Sequence, residues 1–175
     1  MKGCTMNIAE IKRCACADGP GIRVAVYVSG CRRGCKNCHN PEAQSFTYGR
    51  PWTPTDEAEV IRLCQSKSVH GLSILGGEPF EPENQRCIVP FLERWRSQVV
   101  GKDVWVWTGA VLETQLQMES PWRCECTDRM LELIDYLVDG PYVDEKRSLF
   151  LKFRGSSNQR VIRLRPTVED VTAQF

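Results

Sequence analysis

Three cysteines in the run Cys31-Arg32-Arg33-Gly34-Cys35-Lys36-Asn37-Cys38 offer a metal centre three thiolates and no fourth. Iron–sulfur centres that only carry electrons are normally closed by four thiolates, so a 4Fe-4S cluster held by three keeps one iron open to a substrate or cofactor. An open iron is a place for chemistry. Two other arrangements compete on spacing alone. Cys31, Cys35 and Cys38 could close a structural zinc site with His39, although Cys38 and His39 are neighbours and would have to splay to share one metal. A disulfide framework is the other, and it belongs to small secreted chains.

The rest of the composition bears on that choice. Met1 to Glu10 lacks the apolar core of a signal peptide, and no apolar run reaches membrane-spanning length. A cytoplasmic chain with reduced thiols and no membrane partner is therefore expected. Cys64 and Cys87 fall in helix-like apolar stripes and belong in a core. Cys4, Cys14, Cys16, Cys124 and Cys126 have no assigned role. The pairs Cys14-Ala15-Cys16 and Cys124-Glu125-Cys126 could form a second metal site, but a spacing of one residue matches no common zinc or iron–sulfur pattern. With 23 basic and 22 acidic residues the net charge is +1, which gives no general attraction to nucleic acid. The balance is uneven locally. Lys146, Arg147, Lys152, Arg154, Arg160, Arg163 and Arg165 follow one another with no acid between them, either as a solvated face or as a docking surface for a protein partner.

The elements that must position the cysteines alternate in type. Gly21 to Ser29 reads as a buried strand, and the cysteine loop starts directly after it. Thr53 caps a helix with Pro54 at its first position and acids in its first turn. Leu72 to Leu75 is a second strand. A second helix runs from Pro82 or Glu83 to about Arg96, with a kink expected at Pro90. Val104 to Trp107 is a third strand, Val111 to Gln117 a weak helix, and Thr127 to Ile134 a helix capped by Thr127. Tyr136 to Val138 is a fourth strand, and Arg160 to Leu164 an edge strand. Strands alternating with helices predict an α/β fold with a mostly parallel sheet. Eight βα units need about 250 residues, so 175 residues make a single domain, 1–175, that forms only a partial, open βα barrel. In such sheets ligands sit at the carboxyl ends of the strands. Cys31, Gly76-Gly77-Glu78, Thr108-Gly109 and Asp139-Gly140 all fall at that end.

Gly76-Gly77-Glu78 after the second strand would let backbone approach a ligand closely and leave Glu78 free to accept a hydrogen bond from a cationic group such as the amino group of a bound amino acid moiety. With the cysteine loop and the Gly-Gly-Glu motif in this order, the chain resembles the radical S-adenosylmethionine superfamily. Asp18-Gly19-Pro20-Gly21-Ile22-Arg23 and His39-Asn40-Pro41-Glu42 are similar to the activating enzymes of glycyl radical proteins. The segments Leu137 to Val143 and Phe153 to Ile162 are similar to the group that serves anaerobic ribonucleotide reductase. Asn37 departs from the aromatic residue usual before the last cysteine of the superfamily.

The resemblance implies a radical SAM type of barrel and two cofactors, a 4Fe-4S cluster on Cys31, Cys35 and Cys38 and S-adenosyl-L-methionine on its open iron. It implies reductive cleavage to a 5′-deoxyadenosyl radical that takes a hydrogen from a glycine of a large glycyl radical protein. A low-potential donor such as flavodoxin or ferredoxin would supply the electron. By motif match, the backbone at Asn37, Cys38 and His39 borders the adenine, Gly76 and Gly77 meet the methionine end, and Glu78 lies near its amino group. Thr108 and Asp139 are ribose or carboxylate contacts, against the plainer roles of a turn bond and a turn cap; His39 is equally readable as a solvated loop residue. No catalytic side chain is implied beyond the cluster and cofactor. A radical enzyme acting on a small molecule or modified base, and a structural zinc module, remain the alternatives.

Overall fold

The computed structural model describes residues 5–165; Cys4, one of the cysteines without an assigned role, lies outside them. Seven strands form one open sheet: β1 (Asn7–Ala15), β2 (Arg23–Val28), β3 (Arg50–Pro51), β4 (Gly71–Gly76), β5 (Asp103–Trp107), β6 (Tyr136–Asp139) and β7 (Arg160–Arg163), in the order β3-β1-β2-β4-β5-β6-β7. Pairing is parallel from β2 through β4 and β5 to β6 and antiparallel at both flanks. The sheet is thus only partly parallel, which corrects the expectation of a mostly parallel one. The reason lies in the connections. Parallel neighbours need a long crossover, usually a helix. Helices α1 (Pro54–Cys64), α2 (Pro82–Gln98) and α3 (Thr127–Leu133) lie in the connections leading to β4, β5 and β6, whereas β1 reaches β2 and β6 reaches β7 through loops without an α-helix.

The strands are two-faced in a way the alternation of side chains makes explicit. Val24, Val26 and Val28 of β2, Leu72 and Ile74 of β4, and Val104 and Val106 of β5 join Ile61, Phe91, Leu92, Trp95 and Met130 of the helices in one core. Their neighbours Arg23, Tyr27, Ser73, Leu75, Trp105 and Trp107 point the other way. There Trp105 stacks on Tyr136 with ring centroids 4.6 Å apart. The helices cover one face of the sheet, and the opposite face is left to build a site.

Local chemistry sets the helix ends. Thr53 caps α1 as expected, and Asp56 completes a capping box by accepting from the Thr53 backbone N–H at 2.9 Å. Helix α2 runs on through Pro90, which lies on its exposed face. Two expected features change. Thr127 is the first residue of α3 and Cys126 its cap, because the Thr127 hydroxyl is turned inward to Gln85 Oε1 at 2.7 Å. The weak helix near Val111 is a single π-helical turn, Leu112–Leu116. Strand β1 escaped the sequence reading because its polar residues Glu10, Lys12 and Arg13 break any clean alternation and its pairing with β2 contains register shifts. Cys64 and Cys87 are buried, as their stripes indicated.

Candidate functional site

The carboxyl ends of β2, β4 and β5 open onto a cavity of about 520 Å³ on the face without helices. Cys31, Cys35, Cys38 and His39 line it together with Gly76, Gly77, Glu78 and Thr108. Segments remote in sequence therefore converge as the strand order requires. Asn37 and Asp139 are not among the lining residues. The cavity wall also takes Lys12 and Tyr27 from the first two strands, Trp107 from β5, and Tyr142, Gly155 and Gln159 from the connection between β6 and β7.

The cysteine loop has no regular structure between Ser29 and Cys35, and polar clamps replace secondary structure along it. Its start is sewn to the segment after the third cysteine: Gly30 N–H donates to Ala43 O at 2.8 Å and Cys31 N–H to Gln44 O at 3.0 Å. Arg32 donates its backbone N–H to Glu81 Oε1 at 2.6 Å and its guanidinium to Glu81 and Glu83 at the start of α2. Arg33 donates Nε to Glu78 Oε2 at 2.7 Å and lies 4.0 Å from the centroid of the Trp122 ring. Asn37 has a φ of +54°, a left-handed conformation in which asparagine is enriched. Its amide donates to Asp144 Oδ2 at 2.7 Å, turning the side chain away from the cavity. The departure from an aromatic residue here therefore serves loop geometry.

Three of the expected ligand contacts also have partners within the chain. Glu78 is engaged by the chain's own donors. It is buried, with Oε1 accepting from Phe80 N–H at 3.0 Å and the Thr108 hydroxyl at 2.7 Å, and Oε2 from Arg33 and from Gly109 N–H at 2.9 Å. The cation it holds is this chain's own Arg33. Gly76 and Gly77 are required by the protein's own backbone: a Cβ at Gly77 would stand 2.6 Å from Gly30 O and 2.8 Å from Ala43 O, and one at Gly76, where φ is +111°, 2.6 Å from Val28 O. Asp139 is buried beneath the site, accepting from Leu112 N–H at 2.9 Å and ion-paired to Arg160. Thr108 lines the cavity, but its hydroxyl is engaged by Glu78 and by Ala110 N–H. His39 is exposed at the cavity wall.

The other matched motif is structural. Arg23 is fully buried and bonds Ser73 Oγ at 2.7 Å, Leu72 O at 2.8 Å and Asp103 Oδ1 at 2.6 Å, tying β2 to β4 and β5. Asp18 accepts from the Tyr27 hydroxyl at 2.6 Å. Burial first, and that bond second, hold the phenol above its usual range. The clamps on Arg32 and Arg33 were missed in the sequence. Two adjacent arginines inside a metal-ligand loop, with Glu78, Glu81 and Glu83 clustered downstream, were the available signal.

Whether the thiols suit a cluster is a matter of donor chemistry. All three are partly buried and face one cavity, on a loop whose own backbone is irregular and whose flanks are clamped. Burial pushes the Cys31 thiol up to about 11, with Glu78 and Glu81 adding to it against a hydrogen bond from the Arg33 backbone. A neutral thiol in that position gives up its proton when a metal binds. No His, Cys, Asp or Glu group of three or more among the described residues is already drawn together as a metal site, so closing the thiols on iron requires this loop to adjust. The donor set fits.

Comparison with known proteins decides the family. A family model described as a 4Fe-4S single cluster domain matches residues 17–162. The chain is 32% identical over 160 residues to the anaerobic ribonucleoside-triphosphate reductase-activating protein of Pasteurella multocida (strain Pm70), covering 90% of this chain and 98% of that one. It is 34% identical over 164 residues to the protein of that name from Escherichia coli (strain K12), covering 91% and 100%. This chain belongs to the anaerobic ribonucleoside-triphosphate reductase-activating proteins. The family member of Enterobacteria phage T4 is 31% identical over 156 residues, covering 89% of this chain and 93% of that one. In this member the cysteine loop, the Gly-Gly-Glu turn and the β6–β7 connection all lie within the matched span.

Proposed function

We propose that this chain generates a glycyl radical on an anaerobic ribonucleoside-triphosphate reductase, with a 4Fe-4S cluster held by Cys31, Cys35 and Cys38 and S-adenosylmethionine as co-substrate. The single observation that carries the reading is the convergence of three thiols and Gly76-Gly77-Glu78 on one cavity, in a chain whose relatives bear the activating-protein name. When bound, the reduced cluster and S-adenosylmethionine supply the one-electron chemistry by which a hydrogen atom is removed from a target glycine. The protein supplies position and exclusion of solvent.

Each residue group has a defined task in this scheme. The thiolates of Cys31, Cys35 and Cys38 would hold the cluster. Glu78 and Arg33 act as one neutral unit that holds the loop against β4 and β5, so Glu78 orients the site rather than pairing directly with the co-substrate. Backbone at Gly76 and Gly77, which lines the cavity, would border the amino acid end of the co-substrate, and backbone at Cys38 and His39 would border its base. Tyr27, Trp107 and Tyr142 narrow the cavity wall with ring surfaces and limit the water beside the reacting centre. A flavodoxin or ferredoxin donates the electron. Among the described residues no helix is long and apolar enough to cross a membrane, and the reading takes the cytoplasm as the place of action.

Anaerobic reconstitution with iron and sulfide tests the proposal. The expected product is a brown protein that, once reduced, converts S-adenosylmethionine to methionine and 5′-deoxyadenosine and gives a doublet glycyl radical signal when mixed with the reductase. A colourless protein that retains zinc and cleaves nothing would overturn the reading in favour of a structural zinc module.

A further inference from the structure

The connection from Gly140 to Gln159 between β6 and β7 is stiff at its base and bare at its tip. At the base, Gln159 Nε2 donates to Gly140 O at 3.0 Å, Asn158 Nδ2 to Pro141 O at 2.8 Å, and Ser157 N–H to Lys146 O at 2.9 Å. Arg147 and Ser156 pair across it as an isolated bridge. On the return limb, Phe153 packs edge-on to Trp105 and its carbonyl accepts from Trp107 Nε1 at 2.8 Å. Between these anchored limbs Leu149 is 87% exposed and Phe150 97% exposed. Two adjacent large apolar side chains held in water on a braced loop are a feature of binding surfaces rather than of inert ones.

Charge distinguishes the occupant. Lys146, Arg147 and Lys152 flank the apolar pair, are exposed, and make no ion pair with a described residue. Of the nearby acids, Glu145 pairs with Lys36 at 3.6 Å, while Asp144 accepts from Asn37 and Tyr142 and lies within electrostatic reach of Arg147. Arg160, also in the acid-free run, is likewise spent, on Asp139 and Glu113. Lys146 and Lys152 therefore leave positive charge on either side of Leu149 and Phe150. The connection that carries them also gives Tyr142, Gly155 and Gln159 to the cavity wall.

We propose that Leu149 and Phe150 are the docking anchor for the reductase, entering an apolar pocket bordered by carboxylates on that protein and bringing its glycine-bearing segment to the cavity mouth. The inference rests on the function proposed above and names the surface through which it acts. Aromatic and aliphatic anchors at the centre of an interface carry most of its free energy, and a braced loop loses little freedom on docking. The surrounding charges steer the encounter and are screened by salt.

The experiment uses reconstituted wild-type protein, Leu149→Ser/Phe150→Ser, and Lys146→Glu/Arg147→Glu, with purified reductase. The apolar double variant should bind the reductase at least tenfold more weakly at every salt concentration and form the glycyl radical correspondingly more slowly at limiting protein. The charge variant should lose association rate at low salt and recover most of it at high salt. Both should cleave S-adenosylmethionine without the reductase at the wild-type rate, since none of these side chains lines the cavity. Wild-type binding and radical yield in the apolar variant would overturn the proposal. So would unchanged reductase binding accompanied by loss of attachment to phosphatidylglycerol vesicles, or by loss of a self-associated form in sedimentation. A wild-type protein that produces no radical on the reductase overturns the functional reading itself, and a radical made equally by wild type and variant overturns only the anchor.

Discussion

Glu78 has partners within the chain that its motif does not reveal. Its motif suggests a carboxylate waiting for a ligand's amino group, but four donors from three segments already converge on its two oxygens. A prediction follows for Glu78→Gln. The amide cannot accept from all four donors and leaves Arg33 charged and buried without its partner, a change that costs roughly 3 kcal/mol. For a domain of this size that lowers the melting temperature by about 6–12 °C. Thermal unfolding of the single variant and of Glu78→Gln/Arg33→Met checks it: the second substitution should recover part of the loss, and equal melting of Glu78→Gln and wild type would contradict the clamp. The cysteines make a separate case. Cys31→Ala, Cys35→Ala and Cys38→Ala should each lose most of their iron on reconstitution and all cleavage of S-adenosylmethionine, because a missing thiolate leaves a cluster labile. Cys64→Ala should keep both, since that thiol is buried in the core away from the cavity. Iron analysis of the four proteins side by side decides the matter.

Among the elements, the turn after β4 and the start of α1 carry the clearest predictions. Gly77→Val should fail by displacing the segments that carry the cysteines, because its Cβ meets the carbonyls of Gly30 and Ala43. The expected result is poor folding or low iron content; a fully iron-loaded variant with only weakened S-adenosylmethionine binding would show that the turn tolerates the Cβ and that the added side chain meets only the ligand. The α1 cap depends on Asp56, whose carboxyl is held below the usual carboxylate range, by Arg50 first and then by Thr53, against the opposing effect of its burial. A lowered carboxylate pKa stabilises the folded state fully above the unfolded value near 3.9, and the benefit fades as pH falls through the folded value. Asp56→Ala should therefore cost about 1–2 kcal/mol at pH 7 in urea unfolding, and the gap to wild type should shrink below about pH 4. A gap independent of pH would assign the loss to packing. The helices and central strands were legible because Thr53-Pro54, Pro82 and the runs Val24 to Val28 and Val104 to Trp107 are strong local signals. Strand β1 and the π-helical turn were not, since bulges, charged residues and non-α hydrogen bonding leave no clean period.

The whole molecule divides its labour between two faces of one sheet. Helices shield one face, while the other combines the cysteine loop, the Gly-Gly-Glu turn and the β6–β7 connection around a cavity. Hydrogen exchange on the complex with the reductase should therefore slow within residues 140–159 and around the cysteine loop, and leave the core amides of α1 unchanged. Protection confined to α1 and α2 would put the partner on the wrong face. Donor type, spacing and the order of motifs are properties of the linear chain, so the α/β class and the family were readable from it, and so was the loop whose three cysteines the fold brings to one cavity. Which polar groups remain free is not such a property. It depends on the partners folding brings within about 3 Å, and only the tertiary structure paired Arg33 with Glu78, Arg160 with Asp139 and Asn37 with Asp144. These pairs span 21 to 107 residues of sequence. Hydrogen bonding is short-ranged and saturable, so a side chain that a motif presents as available can be fully consumed by a neighbour that the sequence places far away.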